Sequence, residues 1–185
     1  WSSDVCSSDL IETADIAGVS TNQVAAIVTS QVSGLTTGQI AALSSNQVGQ
    51  LTTAVFGRFS SAQLRSLDSS IIVGLTTSAI AALSSSNISG ILTAQLAQFS
   101  SNQIQAIETG DVRGLTSSQI AGLSSDQVGQ LTTSQFVQLT SGQIRAIETA
   151  DIAGVTTSQI AGLSSNQVGQ FLTDRKSTRL NSSHA

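Results

Sequence analysis

The chain of 185 residues has no proline, methionine or tyrosine. Its only tryptophan, cysteine, lysine and histidine all lie outside residues 11–173. Without cysteine, that central stretch has no disulfides and no thiol chemistry, so the sequence gives no indication of redox compartment. Without histidine or lysine, its many hydroxyl groups have no basic neighbour to activate one of them as a nucleophile. We therefore expect no enzymatic activity and no cofactor.

Charge is scarce in the same stretch, where eight acidic side chains face four arginines. Nucleic-acid binding needs clustered cations, so we expect no nucleic-acid partner. No apolar run approaches the length of a membrane span. The abundance of serine, threonine, glutamine and glycine could indicate disorder. The strict spacing of the apolar residues argues against it, because a disordered segment has no reason to keep a register.

An eight-residue repeat organises the chain from Ile11 to Gln170, as twenty octads without a gap. Positions 1 and 6 are apolar in all twenty octads, and position 3 is serine or threonine in all twenty. Position 2 is serine or threonine in fourteen octads and position 5 is glutamine in thirteen. A short, gapless period is typical of a solenoid, whose units bury their apolar sides against neighbouring units.

Each octad resembles the start of a helix. With position 2 as the N-cap, the glutamine at position 5 completes a capping box, and the apolar residues at positions 1 and 6 form a hydrophobic staple. Small residues at position 8, such as Gly114 and Gly162, are expected to let the chain turn out of the helix. The clearest predicted boxes are Thr36 with Gln39, Ser44 with Gln47, Thr116 with Gln119, and Ser164 with Gln167.

The predicted fold is therefore an all-α solenoid with one helix of about one and a half turns per octad. A β-solenoid is the alternative, since threonine, valine and isoleucine favour strands. Against it, positions 1 and 6 would lie on opposite faces of one strand. A continuous helix would carry capping residues and glycines in its interior at a cost. Position 3 is stricter than position 2, so the cap could lie at position 3, or that hydroxyl could bond a neighbouring coil.

A longer period of forty residues groups the octads in fives, starting at residues 27, 67, 107 and 147. We interpret it as a duplication unit in the gene. The alternative interpretation is a superhelical turn of five octads.

Acidic pairs recur in the first octad of this longer unit, with the two acids three positions apart. That spacing places both carboxylates on one helix face. Glu108, Asp111, Glu148 and Asp151 are the resulting weak candidates for a metal site, although calcium takes six or more oxygens. Acidic residues in a first helical turn are also favoured simply by the helix dipole. Arginines at positions 7 and 8 are favourable near a helix end for the same reason.

The two ends differ from the octads. The first ten residues, WSSDVCSSDL, can be encoded by a DNA string whose reverse complement, in another frame, encodes DRKSTRLNSS at positions 174–183. Unrelated protein tails have no reason to be reverse complements, so we interpret residues 1–10 and 174–185 as translated sequencing-adaptor sequence. Residues 11–173 are then an octapeptide-repeat solenoid, part of a longer array, with no internal domain boundary.

Octads such as LTTGQIAA at 35–42 and LSSNQVGQ at 43–50 resemble the arrays of very large, Ser/Thr-rich bacterial proteins described as adhesin-like. The resemblance covers residues 11–173 and implies an extracellular or cell-surface location, with no catalytic residues to carry over. We expect a non-catalytic structural or adhesive spacer. The alternatives are a scaffold whose positions 4, 7 and 8 bind a surface protein or a glycan, and a hydroxyl array that binds ice or glycan.

Overall fold

The computed structural model describes residues 12–147 and 151–170, and within these ranges every octad contributes one short helix and none forms a strand. The prediction of an all-α solenoid is confirmed, and the β-solenoid and the continuous helix are wrong for this part of the chain. The α-helices are Thr21–Ala25, Thr37–Ala41, Ser45–Gly49, Thr53–Phe56, Ser61–Ser66, Thr77–Ala81, Thr93–Leu96, Ser101–Ala106, Ser117–Ala121, Ser125–Gln130, Thr133–Phe136, Ser141–Ala146 and Thr157–Gly162, and residues 165–170 are also helical. The 3-10 helices are Thr13–Gly18, Val32–Gly34, Ile71–Gly74, Ile88–Gly90, Asp111–Gly114 and Asp151–Gly154.

Local chemistry explains where each helix begins and ends. Thr36 has extended backbone, with φ −74° and ψ 158°, and its side chain accepts a hydrogen bond from the backbone N–H of Gln39 at 3.2 Å. The Gln39 Oε1 in turn accepts from the Thr36 backbone N–H at 2.8 Å. Helices end within two turns, and the residue at position 1 of the next octad is extended again, as at Leu67 with φ −61° and ψ 133°. The N-cap therefore lies at position 2, and position 3 is the first helical residue.

The 3-10 helices form where the capping box is incomplete. All six lie in octads that lack either a hydroxyl at position 2 or a glutamine at position 5. Asp111–Gly114 follows Glu108, and Ile88–Gly90 follows Asn87, which replaces the glutamine. Neither helix has a side-chain cap hydrogen bond. An incomplete box leaves N-terminal amide groups without their usual acceptor. It is not sufficient for a 3-10 helix, because the octads with Val55, Ala79 and Leu92 also have incomplete boxes and form α-helices.

One superhelical turn takes about three and a half octads. Helix Thr37–Ala41 packs on Ser61–Ser66, and Thr77–Ala81 packs on Ser101–Ala106, so the partner helix lies three octads further along the chain. Side-chain hydrogen bonds between turns join residues 28 and 31 positions apart, which spans three to four octads. The expectation of a five-octad turn is therefore wrong. Octads adjacent in sequence follow one another around the turn, and the stacked neighbours are the octads three and four positions away.

Positions 1 and 6 form one continuous apolar interior. From Leu43 to Ile147, every described side chain at these two positions is at most 6% exposed. Phe56 and Phe136 at position 6 are fully buried, and Phe56 packs against Phe59 with ring centroids 5.1 Å apart. The burial of both apolar rows is what the repeat predicted. Aliphatic and aromatic burial is the main stabilising contribution in such a solenoid.

Small residues at position 8 have a different role from the one the sequence suggested. No glycine of the described residues has a positive φ, so the chain leaves these helices without a left-handed glycine. Instead the glycines let two turns approach closely. A Cβ on Gly114 would overlap the backbone of Ser85 in the previous turn. A Cβ on Gly90, also at position 8, would overlap the backbone of Ser61 in the previous turn. Close backbone approach, rather than unusual torsion angles, requires glycine here.

Candidate functional site

The most regular polar feature of the molecule is a glutamine side chain that joins successive turns. Gln47 is 5% exposed, and its Nε2 donates to the carbonyl oxygens of Ile16 at 2.9 Å and Val19 at 2.7 Å. Its Oε1 accepts from the backbone N–H of Ser44 at 2.7 Å. One amide therefore caps its own helix and binds two carbonyls of the preceding turn. We call this arrangement a glutamine clamp.

The same clamp recurs along the array with the same two sequence separations. Gln63 donates to the carbonyls of Val32 and Leu35, both at 2.8 Å. Gln143 donates to Val112 and Leu115 at 2.8 and 2.7 Å. Further clamps with two carbonyl partners 31 and 28 residues earlier are formed by Gln95, Gln119, Gln127, Gln135 and Gln159.

Each clamp lies over the junction between two octads. One bound carbonyl belongs to position 6 of an octad, at the end of its helix, and the other to position 1 of the next octad. The position-6 carbonyl already accepts a local backbone bond, as from Val19 N to Ile16 O at 3.1 Å. The glutamine Nε2 donates to the second lone pair of this carbonyl. The carbonyls near the end of a short helix have no further partner within that helix. The octads of successive turns are therefore staggered by half an octad.

The polar interior is fully paired. Among the described residues, no buried side-chain nitrogen or oxygen lacks a hydrogen-bond partner. If the residue at position 5 only capped its own helix, glutamate would serve there as well as glutamine. In this chain position 5 is never glutamate, although glutamate occurs at position 2. That preference is the signal in the sequence for the second role of the side chain, because only the amide can donate to a carbonyl.

The predicted capping residues occupy the positions expected of them. Complete capping boxes are formed by Thr36 with Gln39, Ser44 with Gln47, and Thr116 with Gln119. At the last described octad, Ser164 N donates to Gln167 Oε1 at 3.0 Å, and Gln167 N donates to Ser164 Oγ at 3.4 Å. Of the position-3 hydroxyls, Ser45 Oγ donates to Ser70 O of the next turn at 3.1 Å, and Ser61 Oγ donates to Ser86 O at 3.2 Å.

The acidic candidates are not gathered into a cluster. Asp111 is half-buried, and its Oδ1 accepts from the backbone N–H of Ser85 at 2.6 Å, while Glu108 is exposed. Asp151 begins a 3-10 helix, and Glu148 lies outside the described residues. Within residues 12–147 and 151–170, no three acidic, histidine or cysteine side chains come together as a group that could hold a metal ion. Asp111 thus serves as an acceptor for the turn before it.

Other charged side chains make single surface contacts. Arg113 Nε donates to the carbonyl of Gln138 in the next turn at 3.3 Å. The backbone N–H of Ser70, at 2.8 Å from Asp68 Oδ1, lowers the pKa of the exposed Asp68 carboxyl, and the Ser70 hydroxyl adds to the effect. Arg65, Arg113 and Arg145 each lie in the last turn of a helix, where a cation is favourable.

In the middle of the array, three octads have no clamp and a fourth has a weaker one. Position 5 is occupied there by Val55, Ile71 and Ala79, all at most 4% exposed, and by Asn87. The shorter Asn87 side chain reaches two carbonyls of the previous turn only at 3.4 and 3.2 Å. The clamps are therefore unevenly distributed along the chain.

In the part of the chain that the structure describes, the longest helices have six residues, and none could cross a membrane.

Comparison with known proteins adds one finding. No curated protein and no solved structure matches the chain. The model of the ALTTAQ repeat matches residues 10–45, 104–141 and 144–175, which together make up more than half of the chain. The six letters of that description correspond to position 8 of one octad followed by positions 1 to 5 of the next, the segment that carries the cap and the clamp. The chain belongs to the ALTTAQ repeat family.

Proposed function

We propose that this chain is a non-catalytic structural or adhesive spacer of a large bacterial surface or secreted protein. The observation that carries the proposal is the glutamine clamp, which ties the octads that have it only to octads three and four positions earlier. An array held together in this way can be extended by any number of octads without a change in its contacts. That property suits a part whose function is to set a distance.

Composition supports the same proposal. The buried hydroxyl and amide groups are used in caps and clamps, and none is left unpaired in the described residues. A nucleophile in a catalytic site needs a base beside it, and the octads offer no histidine or lysine. The bacterial, extracellular setting rests on the resemblance to adhesin-like arrays.

Small-angle X-ray scattering on length variants tests the spacer directly. The duplication unit at residues 107–146 is a suitable module, and variants would carry it once more and twice more within the full chain. If adjacent turns lie at the usual helix-to-helix distance, each copy adds roughly 13 Å to the maximum dimension. The cross-sectional radius of gyration should stay constant. A maximum dimension that grows only as a compact globule would, with a widening cross-section, would overturn the spacer.

A binding scaffold is the second candidate, supported by the exposure of the outer surface. Of the positions 4, 7 and 8 expected to bind, position 4 is exposed in nearly all described octads and varies among serine, asparagine, alanine, glycine and aspartate, and positions 7 and 8 are exposed or half-buried in most. A glycan or protein partner would contact such a polar surface, as in other solenoids. Glycan-array and pull-down measurements with alanine substitutions at Asn46, Ser118 and Ser134 test it. Binding that is lost while the circular dichroism spectrum is retained would favour the scaffold over the spacer.

A further inference from the structure

Clamps are concentrated in one part of the array. From Gln95 to Gln159, seven of the nine position-5 residues are glutamine, and the exceptions are Asp111 and Asp151. From Val55 to Asn87, only Gln63 is glutamine. We define the clamp-poor seam as the boundary between residues 24–51 and the following turn at residues 55–79, where Val55, Ile71 and Ala79 take the place of clamps.

At the clamp-poor seam Gln63 binds the carbonyls of Val32 and Leu35, and the carbonyls that face Val55, Ile71 and Ala79 receive no glutamine amide from the next turn. By the register of the other clamps, Val55 faces the carbonyls of Val24 and Ile27, and Ala79 faces those of Val48 and Leu51. The position-6 carbonyls keep only the local bond, as from Leu51 N to Val48 O at 3.1 Å. When this seam opens, water can bind these carbonyls, and one clamp, that of Gln63, has to be broken. A later boundary of the same length has four clamps, made by Gln119, Gln127, Gln135 and Gln143.

Apart from the Gln63 clamp and the bond from Ser45 Oγ to Ser70 O, the seam is held closed by apolar packing. Val55 and Ile71 add buried aliphatic surface in place of the amide, but Ala79 adds neither an amide nor much volume. Apolar attraction is proportional to area and non-directional. Opening a clamped seam loses the same kind of apolar contact from positions 1 and 6, and two amide hydrogen bonds per glutamine in addition. The clamp-poor seam should therefore open at lower free energy than the clamped seams that follow it.

We propose that the clamp-poor seam is a built-in opening point, at which the array separates into two blocks before either block unfolds. All backbone hydrogen bonds between described residues outside the helices are local, within four positions. A turn can therefore part from the next without breaking a backbone ladder. Solenoids behave as chains of nearest-neighbour interfaces, so the weakest interface opens first. This inference rests on the fold and is independent of the spacer function.

Restoring the missing amides tests the proposal, and the chain supplies templates for them. Octad 51–58, LTTAVFGR, matches octad 131–138, LTTSQFVQ, in which Gln135 lies beside Phe136. Octad 75–82, LTTSAIAA, matches octad 35–42, LTTGQIAA. The variants that introduce the missing amides are therefore Val55→Gln and Ala79→Gln. The reciprocal variant, Gln135→Val, creates a new unclamped seam elsewhere.

Hydrogen–deuterium exchange of the full chain, measured by mass spectrometry, provides the readout. In the native chain, amides of Ser45–Gly49 and Thr77–Ala81 should exchange at least about tenfold faster than those of Ser101–Ala106, after correction for intrinsic rates. Ala79→Gln should slow exchange in the first two helices by about tenfold and leave Ser101–Ala106 unchanged. Gln135→Val should accelerate Ser101–Ala106 and Thr133–Phe136 by a similar factor.

Two outcomes would overturn the opening point. One is equal protection of the clamp-poor and clamped seams in the native chain. The other is unchanged exchange in both Val55→Gln and Ala79→Gln. These two variants decide the matter even where Gln135→Val fails to fold, because they add a bond that the surrounding octads already accommodate elsewhere.

Discussion

Gln135 offers a direct test of whether side-chain amides hold the turns together. The residue is 1% exposed, and its Nε2 donates to the carbonyls of Ile104, Gln105 and Ile107 at 3.0, 3.2 and 2.6 Å. Its Oε1 accepts from Thr132 N at 2.8 Å. The substitution Gln135→Glu keeps an acceptor for the cap, removes both donors, and places a carboxylate oxygen against the carbonyls of the previous turn.

The expected loss follows from these contacts. Removing the side chain altogether in Gln135→Ala loses the cap bond and two clamp bonds, each worth about 1 kcal/mol net, or about 3 kcal/mol in total. Gln135→Glu keeps the cap bond but leaves a buried charge that faces acceptors. An uncompensated buried charge costs more than an unsatisfied neutral group. We therefore expect Gln135→Glu to lower the free energy of unfolding by about 4 kcal/mol at neutral pH.

Acidification should distinguish the two variants. Burial raises the pKa of the introduced carboxyl in the folded state. A group with a raised folded-state pKa contributes most to stability below its unfolded pKa, about 4.3 for glutamate, and loses that contribution as pH rises through the folded value. The neutral acid can also donate one hydrogen bond to a carbonyl. At about pH 4 the deficit of Gln135→Glu should therefore shrink to roughly 2 kcal/mol, while the deficit of Gln135→Ala stays constant.

Urea unfolding followed by far-ultraviolet circular dichroism, at neutral pH and at about pH 4, measures both quantities against the native chain. Gln98→Glu is the matched control, because Gln98 is exposed and makes no clamp. Gln98→Glu should change stability by less than about 0.5 kcal/mol. If Gln135→Glu were no less stable than Gln98→Glu at neutral pH, the clamp would not be what holds successive turns together.

Three further outcomes are expected in the same unfolding assay. Gly114→Ala should cost about 1–3 kcal/mol, since its Cβ would overlap the previous turn, whereas Gly110→Ala, with open space around the Cβ and φ −68°, should be neutral or stabilising. Thr140→Ala should cost about 1 kcal/mol through loss of the cap bond to the following helix. Phe136→Ala should cost about 3–5 kcal/mol, and Ile160→Ala clearly less, because Ile160 is 38% exposed and Phe136 fully buried. Equal losses within the glycine pair or within the core pair would contradict these assignments.

Much of the local structure could be predicted because its causes lie within a single octad. The N-cap, its glutamine and the two staple residues are separated by five residues or fewer, as in the segment from Leu35 to Ile40. Hydrogen bonds of this range are set by sequence spacing alone. The prediction of one short helix per octad and of two buried apolar rows follows from them, and both are confirmed.

The wrong or missing predictions all concern partners in other turns. Glycines at position 8 were expected to let the chain turn out of the helix, but what requires Gly114 is the close approach of the backbone of Ser85, 29 residues earlier. The five-octad turn was wrong because duplication in the sequence need not match the superhelical period. The amide donors of Gln47 could not be assigned to Ile16 and Val19, which lie 31 and 28 residues earlier.

The eight-residue pattern by itself determined that this chain forms short, capped helices with a shared apolar side. Only the tertiary structure decided how many octads make a turn, and hence which carbonyls meet each glutamine. The bend between successive octads involves only a few residues, but the bends add up around the superhelix. Their sum, which fixes the number of octads in a turn, depends on how the buried side chains of stacked turns pack together. The capping chemistry acts within a single octad and contains no information about that sum.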